Sequence, residues 1–521
     1  MKFWKEDLLA GFLVFILALP LSMGIAAASD FPPIYGLVTA MVGGVLVGLL
    51  AGSPLTIKGP AAGLIVIVAG AVSDFGDGET GWKLALGAIV VAGALQVVFG
   101  FLKLGKMSVY FPHDAVHGML TAIGIMIISK QFHVLLGQNP TMSWLDPSLP
   151  EAVGKKPLSE PLELMEMIPH SIKQVNMNAL WVGLVALVIV FVWAQLKSAW
   201  AKKIPGAIVA LAAAIAFAKW IGMDASLYVK FDKNLADVLH YNVDFGGVSK
   251  LGTFIKYVMM FALVGTLEAM LTVNAMDMRD PWKRKSNVDK DIKALGLGNM
   301  LAGVLGGLPM ISEVARSSAN ISNGARTQWA NTYHGIFVLL FMLVATSVSG
   351  LIPKPALAAL LIFVAYRLAH PSQFVHMWKL GKDQFFVFMA TVVITLATDL
   401  LIGVSSGMVL KMIWYLASKV SWGELFGVKY QMISQDAVTT IQVESSLTFY
   451  NFPKLKNAIA QAIQKSDVVI HVGQARLIDH AVVEQLMEWN HHEHSSHQLS
   501  ISGLEEFKQV SSHTHATRVH K

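Results

Sequence analysis

Three short stretches of this chain put charges, hydroxyls, glycines and prolines where unbroken apolar helix would be expected. The first reads Ser53-Pro54-Leu55-Thr56-Ile57-Lys58-Gly59-Pro60-Ala61-Ala62-Gly63. The second reads Gly306-Gly307-Leu308-Pro309-Met310-Ile311-Ser312-Glu313-Val314-Ala315-Arg316, and the third is Leu267-Glu268-Ala269-Met270-Leu271-Thr272 within the apolar run 254–276. Their chemistry is ion binding rather than bond making. Backbone leaves the helix at membrane depth only where protein or a water-filled cavity satisfies it. Paired Gly/Pro-interrupted segments in corresponding positions of two halves point to a transporter's binding site. A helix that restarts there presents unpaired N–H groups and a positive end, which suits an anion; two kinked helices are the plainer alternative. Arg316 follows Ser312 by one turn on the same face, so it either lines the site or pairs with Glu313 at i, i+3, with Ser312 a plausible N-cap. Glu268 is an ionisable group inside a span, functional by default, and Thr272 lies one turn on. The two could coordinate Na⁺, Glu268 could carry a proton, or Glu268 could pair structurally with a base. Lys58 adds to the anion's field, pairs with Glu268, stands in for a bound Na⁺, or snorkels toward the cytoplasm.

The elements that must position these residues are membrane spans. The chain has 521 residues, 54% hydrophobic and 14% charged, where soluble domains carry about 25% charge. Apolar runs long enough to span recur from Leu8 to about Ser418. They read as roughly 8–28, 34–52, 55–72, 82–102, 114–136, 177–197, 204–221, 252–276, 292–307, 308–323, 331–352, 353–370, 382–401 and 402–419. With the N-terminus inside, Lys103, Lys106, Lys197, Lys202, Lys203, Arg279, Lys283, Arg284, Lys285, Lys290, Arg326, Lys379 and Lys382 fall on cytoplasmic connections, while Asp74, Asp77 and Glu79 fall outside. The positive-inside rule thus predicts a multi-pass protein with both termini cytoplasmic. No small-residue cleavage site follows Leu8, so no cleavable leader is expected. The net charge of +6 sits in loops and is no nucleic-acid signal, and the absence of Cys excludes disulfides, thiolate metal sites and Cys nucleophiles. The interrupted segments are spans three and ten. Seven apart, they must run in opposite directions, so their half-helices can meet N-terminus to N-terminus.

The stretches above, with Ala18-Leu19-Pro20-Leu21-Ser22-Met23-Gly24 in span one, Ala315-Arg316-Ser317-Ser318-Ala319-Asn320 and Gly324-Ala325-Arg326-Thr327, resemble the SulP family of anion transporters over essentially the whole chain. The resemblance implies an all-α polytopic membrane protein of about fourteen segments. They would form two inverted seven-segment repeats, about 8–221 and 252–419, arranged as core and gate domains that work as an elevator. A transmembrane domain of 1–420 would precede a small cytoplasmic α/β domain of the STAS type at 430–521. It also implies a homodimer in the inner membrane. The residues it places at the substrate are Pro20, Ser22, Lys58, Gly59, Pro60, Ala61, Met310, Ile311, Ser312 and Arg316, with Glu268 and Thr272 as the coupling-ion pair. In the bicarbonate-carrying branch an Asp and a Thr at those two positions bind sodium; this chain keeps the Thr and has Glu for the Asp. Pro20 would kink span one, and Leu21 stands where many members have Gln.

After Val420 the composition turns soluble. Val438–Val443, Ser446–Phe449, Asp467–Val472 and Gln498–Ile501 read as strands, and Pro453–Gln464 and Val482–Trp489 as helices. His480 occupies the position of the phosphorylatable Ser of soluble STAS relatives, which argues against a phospho-switch there. His491, His492, His494 and His497, with His513, His515 and His520 further on, are a solvated polar loop or a metal or pH sensor. His113, Asp114 and His117 are assigned no chemistry, and the sequon Asn320-Ile321-Ser322 reads as a chance match. The expected function is secondary active transport of a small inorganic anion, bicarbonate first and sulfate second, with Na⁺ or H⁺ as coupling ion and no other cofactor. Membrane lipid and a second copy are the expected partners, without nucleic acid. An uncoupled channel or exchanger and a non-transporting sensor are the rivals. Enzyme activity is not expected, because no nucleophile–base constellation appears.

Overall fold

The computed structural model describes residues 3–105, 112–146, 148–149, 158, 160–196, 198, 204–231, 235–344, 350–435, 438–491 and 498–521. Helices dominate as far as residue 417. They are α1 (Trp4–Ala28), α2 (Pro33–Leu50), α3 (Ala62–Phe75), α4 (Gly78–Phe101), α5 (His113–Leu135), α6 (Met177–Gln195), α7 (Gly206–Trp220) and α8 (Leu251–Arg279). There follow α9 (Val288–Val304), α10 (Val314–Ser322), α11 (Trp329–Val344), α12 (Lys354–Leu368), α13 (Pro371–Leu380), α14 (Lys382–Ala397) and α15 (Leu400–Ala417). Each of the fourteen expected spans contains one of these helices. Beyond these, short helices such as Pro161–Glu166 and Ile168–Lys173 lie in the connections, and α13 fills the connection between the twelfth and thirteenth spans. It starts at Pro371 with His370 as N-cap, whose ring accepts the Ser372 N–H. Pro20 does not end its helix: α1 runs through it.

Spans three and ten are interrupted as expected, and each interruption is a strand. β1 (Lys58–Pro60) pairs antiparallel with β2 (Met310–Ser312), Lys58 opposite Ser312, Gly59 opposite Ile311 and Pro60 opposite Met310. α3 continues from one end of this ribbon and α10 from the other, so the two half-helices start beside each other and run apart. α10 has nine residues, about 14 Å at 1.5 Å per residue, roughly half the hydrocarbon thickness.

Side chains from neighbouring helices satisfy the backbone of the broken segments. Asn299 Oδ1 accepts the Met310 N–H at 2.7 Å, and Asn299 Nδ2 donates to Gln96 Oε1 at 2.7 Å. Ser317 Oγ accepts the Ile57 N–H at 2.9 Å, and Ile57 O accepts the Glu313 N–H at 3.0 Å. Asn320 Nδ2 donates to Leu55 O at 2.9 Å, and Asn331 Oδ1 accepts the Lys58 N–H at 3.3 Å. Asn320 is buried and so occupied, which leaves the sequon no role as a surface acceptor. Close helix approach relies on small residues, as in other membrane bundles: Gly93 of α4 faces Gly296 of α9, and Gly44 of α2 faces Gly335 of α11.

The chain divides into two compact units, one of Met1–Lys106 with Ile123–Leu368 and one of Met107–Ala122 with Ala369–Lys521. The first holds the ribbon. The second combines the opening turns of α5 with α13, α14, α15 and the C-terminal α/β fold. There β3 (Tyr430–Gln435), β4 (Val438–Val443), β5 (Asp467–His471) and β7 (Leu499–Ser502) form a sheet, antiparallel at β3–β4 and parallel elsewhere. α16 (Phe452–Ala462) and α17 (His480–His491) belong to the same fold. Phe452, Leu455 and Ile459 pack with Ile441, Val468 and Ile470 in its core. A second sheet joins β6 (Leu477–Ile478), β9 (Arg518–His520) and β8 (Phe507–Gln509). Ser446–Phe449 is not a strand: only Leu447 bridges, to Ile478. β3, β6, β8 and β9 were not expected from the sequence: β3, β8 and β9 are largely unburied and lack an apolar alternation, and β6 has only two residues. His492, His494 and His497 lie outside the described residues.

In the second unit a buried ion cluster joins α5, α15 and α17. The Lys411 ammonium lies 3.0 Å from Asp114 Oδ2 and 3.3 Å from Asp479 Oδ1, all three groups fully buried. His480 Nδ1 lies 3.3 Å from the same Asp479 oxygen. Burial alone would raise the Asp479 carboxyl, but Lys411 and His480 outweigh it and hold the group well below the usual carboxylate range. Burial alone would lower His480; Asp479 outweighs it and raises the imidazole. Lys411→Met strands two buried carboxylates and should cost about 3–5 kcal/mol, read as a lower melting temperature in detergent. Because folding raises the His480 pKa, its contribution is complete below about pH 6.5 and fades as the pH climbs through the raised value. Asp479 acts in the opposite sense, losing its contribution only in acid. Thermal stability should therefore fall as the pH rises above about 6.5, and His480→Gln should flatten that slope in melts recorded across a pH series.

Candidate functional site

The site is built on the β1–β2 ribbon. Arg316, in the first turn of α10, is fully buried, and among the described residues its Nε, Nη1 and Nη2 have no hydrogen-bond partner. Its guanidinium lies against Gly59: a Cβ there would overlap Nη1. Glu313 rather than Ser312 caps α10, its Oε2 accepting the Arg316 backbone N–H at 2.7 Å. The Glu313 carboxylate thus holds the helix end, and the guanidinium is not consumed by an i, i+3 pair. The helix end and the buried cation together favour an anion at this place.

At the other end of the same five-residue segment, Gly63 faces Glu268, and a Cβ there would overlap both carboxylate oxygens. Glu268 is buried at 7% exposure, with Oε1 unpartnered among the described residues. Thr272, one turn along α8, is also buried. Gly59-Pro60-Ala61-Ala62-Gly63 is therefore a strip without large side chains, bounded by a cation at its start and a carboxyl at its end. Ala61, Met310 and Ile311 are buried along it. Their side chains carry no hydrogen-bonding groups, so backbone N–H groups and Arg316 are the donors left to recognise a ligand.

Lys58 neither reaches Glu268 nor turns its ammonium to an anion. Its ammonium donates to Asp291 Oδ2 at 2.6 Å, Ser312 Oγ at 2.6 Å and Thr56 Oγ1 at 2.7 Å. An ammonium has three N–H donors, so none remains for a substrate or for Glu268, and full burial excludes snorkelling. Ser312, accepting from Lys58 and lying 3.3 Å from Asp291 Oδ2, belongs to this cluster and is not the N-cap. Pro20 and Met23 line, with Ile16, Leu19, Ile208 and Phe341, an apolar cavity of about 210 Å³ that no charged residue lines. Ser22 is buried with its hydroxyl unpartnered among the described residues.

Asp291, Asn299, Asn331 and His334 were missed in the sequence. Asp291 sits among the charges Asp289, Lys290 and Lys293 and reads as loop chemistry, although Asn287 three residues before a hydrophilic turn is a usable N-cap signal. His334 of α11 is fully buried with both ring nitrogens unpartnered among the described residues, within electrostatic reach of Arg316. A lone His in an amphipathic helix gives no warning of that.

The comparisons with known proteins agree with this geometry. The model of the sulfate permease family matches residues 4–391. A putative sulfate transporter of Bacillus subtilis, YvdB, is 26% identical over 479 residues, covering 89% of this chain and 84% of its own. Two solved structures share the fold. The transmembrane domain of a cyanobacterial bicarbonate transporter, BicA, gives a TM-score of 0.67 at 22% identity, covering 77% of this chain and 97% of that one. The murine Slc26a9 anion transporter in its inward-facing state gives 0.66 at 16% identity, covering 95% and 85%. A match spanning the ribbon, both half-helices and the helices that support them leaves one conclusion: the chain is a polytopic membrane protein that belongs to the sulfate permease family of anion transporters.

Proposed function

We propose that this chain is a secondary active transporter that brings a small oxyanion of the sulfate type across a bacterial-type inner membrane together with a proton. Arg316 and the α3 and α10 helix starts hold the anion, and Glu268 carries the proton. The observation that carries the reading is the fully buried guanidinium at the start of the strip, unpartnered among the described residues. A desolvated guanidinium demands an anionic partner, and its planar fork suits an oxyanion. Transport proceeds by elevator movement of a core domain against a gate domain. Both termini face the cytoplasm, residues 1–420 form the membrane part, and 430–521 form a STAS-like domain that supports a homodimer.

Coupling decides the order of substrates. Bicarbonate with a proton is carbon dioxide and water, which cross a bilayer unaided, so proton coupling would gain a bicarbonate importer nothing. A permanently charged oxyanion gains the full proton gradient. Lys58 is spent on Asp291, so Glu268 faces the strip without a fixed counter-charge among the described residues, as a reversible proton carrier must. Bicarbonate with Na⁺ is the second reading, favoured by Thr272 one turn from Glu268. The bicarbonate-first order expected from the sequence is thereby reversed.

Proteoliposomes given labelled sulfate or bicarbonate under an imposed proton or Na⁺ gradient separate the two. Sulfate uptake should rise with an inside-alkaline gradient and ignore Na⁺. Glu268→Gln should lose the gradient response while keeping sulfate–sulfate exchange. Na⁺-driven bicarbonate uptake in the wild type would sink the proposal. Arg316→Lys keeps the charge but loses the fork, and should raise the KM for sulfate by roughly tenfold, the equivalent of about 1.4 kcal/mol; Arg316→Ala should abolish uptake. Gly59→Ala displaces the Arg316 guanidinium and Gly63→Ala the Glu268 carboxyl. The first should weaken sulfate binding, and the second should uncouple transport from the proton gradient, both read in the same vesicles.

A further inference from the structure

The cluster around Lys58 has the composition of an alkali-cation site. Three oxygens surround the ammonium: a carboxylate of α9, a hydroxyl of β2 and a hydroxyl from the residue two before Lys58, at 2.6, 2.6 and 2.7 Å. Hard oxygen donors at such separations are what alkali cations take. The carboxylate is held from behind, Asp291 Oδ1 accepting the N–H groups of Gly52 and Ser53, each at 3.1 Å. Gly43 lies against the Lys58 backbone and Cβ, within a π-helical turn of α2 at Gly43–Val47. The cage therefore draws on α9, on β2 and on the approach to β1, and it ties the two broken segments together through one positive charge.

We propose that the Lys58 ammonium is a tethered cation filling an oxygen cage made by Asp291, Ser312 and Thr56, and that without the lysine side chain this cage binds Na⁺. Lys58 is thus a positioning residue. It supplies the charge that neutralises Asp291 and keeps β1 and β2 in register, so the wild-type protein assembles its anion site without a soluble cation there. For its transport arm alone the inference rests on the proposed proton-coupled reading.

The test uses the full chain, purified in detergent and reconstituted, with NaCl exchanged for choline chloride at constant ionic strength. Wild-type melting temperature and sulfate uptake should ignore the exchange. Lys58→Ala should melt lower in choline and recover saturably with Na⁺, with uptake recovering about tenfold over the same concentrations. Lys58→Ala/Asp291→Asn, whose cage is uncharged, should show no Na⁺ response in either readout. A Lys58→Ala protein equally impaired in Na⁺ and choline overturns the inference. So does a Na⁺ response that survives in the double variant, since the ion then binds elsewhere. A Lys58→Ala protein that cannot be purified in either salt while the double variant can also counts against it. If the wild type proves to be Na⁺-driven, the proposed function fails, yet the melting shift of Lys58→Ala and its loss in the double variant still judge the cage.

Discussion

Hydrocarbon offers no water to a broken backbone, and the antiparallel pairing of Lys58–Pro60 with Met310–Ser312 is how this molecule meets that constraint. Everything at the candidate site follows from it. Two chain segments that cannot be helical satisfy part of each other, and Asn299, Ser317, Asn320 and Asn331 take up much of the remainder. The helices that resume, α3 and α10, then start from the two ends of one ribbon. Two prolines and two glycines in the first segment, and Pro309 with Gly306 and Gly307 in the second, are the cost in helix propensity of building that ribbon.

Charge is distributed around the ribbon so that no group is wasted. Lys58 and Asp291 neutralise each other with every ammonium donor used. Glu313 spends its carboxylate on the Arg316 backbone N–H. Among the groups left without a partner in the described residues are the guanidinium at Gly59 and one carboxyl oxygen at Gly63. A buried charge without a counter-charge is costly, and the guanidinium and the carboxyl place that cost at the two ends of one strip. The same economy appears in the second unit, where one lysine serves two buried aspartates and thereby secures the start of α17 to α5 and α15.

Glycine has a specific meaning in the strip. At Gly59 and Gly63 any Cβ would occupy the volume of a charged group, so these positions are set by the side chains of α10 and α8 and not by backbone conformation. Elsewhere in the bundle glycines at Gly93, Gly296, Gly44 and Gly335 serve helix packing. The sequence alone does not separate the two uses.

Much of this was legible in the chain itself. Hydropathy alone determined the helical membrane class and the positions of the spans, because a bilayer imposes one length and one polarity on every crossing segment. The two Gly/Pro-interrupted segments, their opposite directions, Arg316 and Glu268 were likewise readable, since each violates a rule that a plain span must obey. The tertiary structure alone decided the partners. Whether Lys58 meets Glu268 or Asp291, whether Ser312 or Glu313 caps α10, and whether Pro20 lines a polar or an apolar cavity all depend on which side chains from distant helices come within about 3 Å. Contacts at 233 and 254 residues of separation, those of Lys58 with Asp291 and Ser312, leave no periodicity in a sequence. Periodicity records which face of an element is buried; the fold alone records against what.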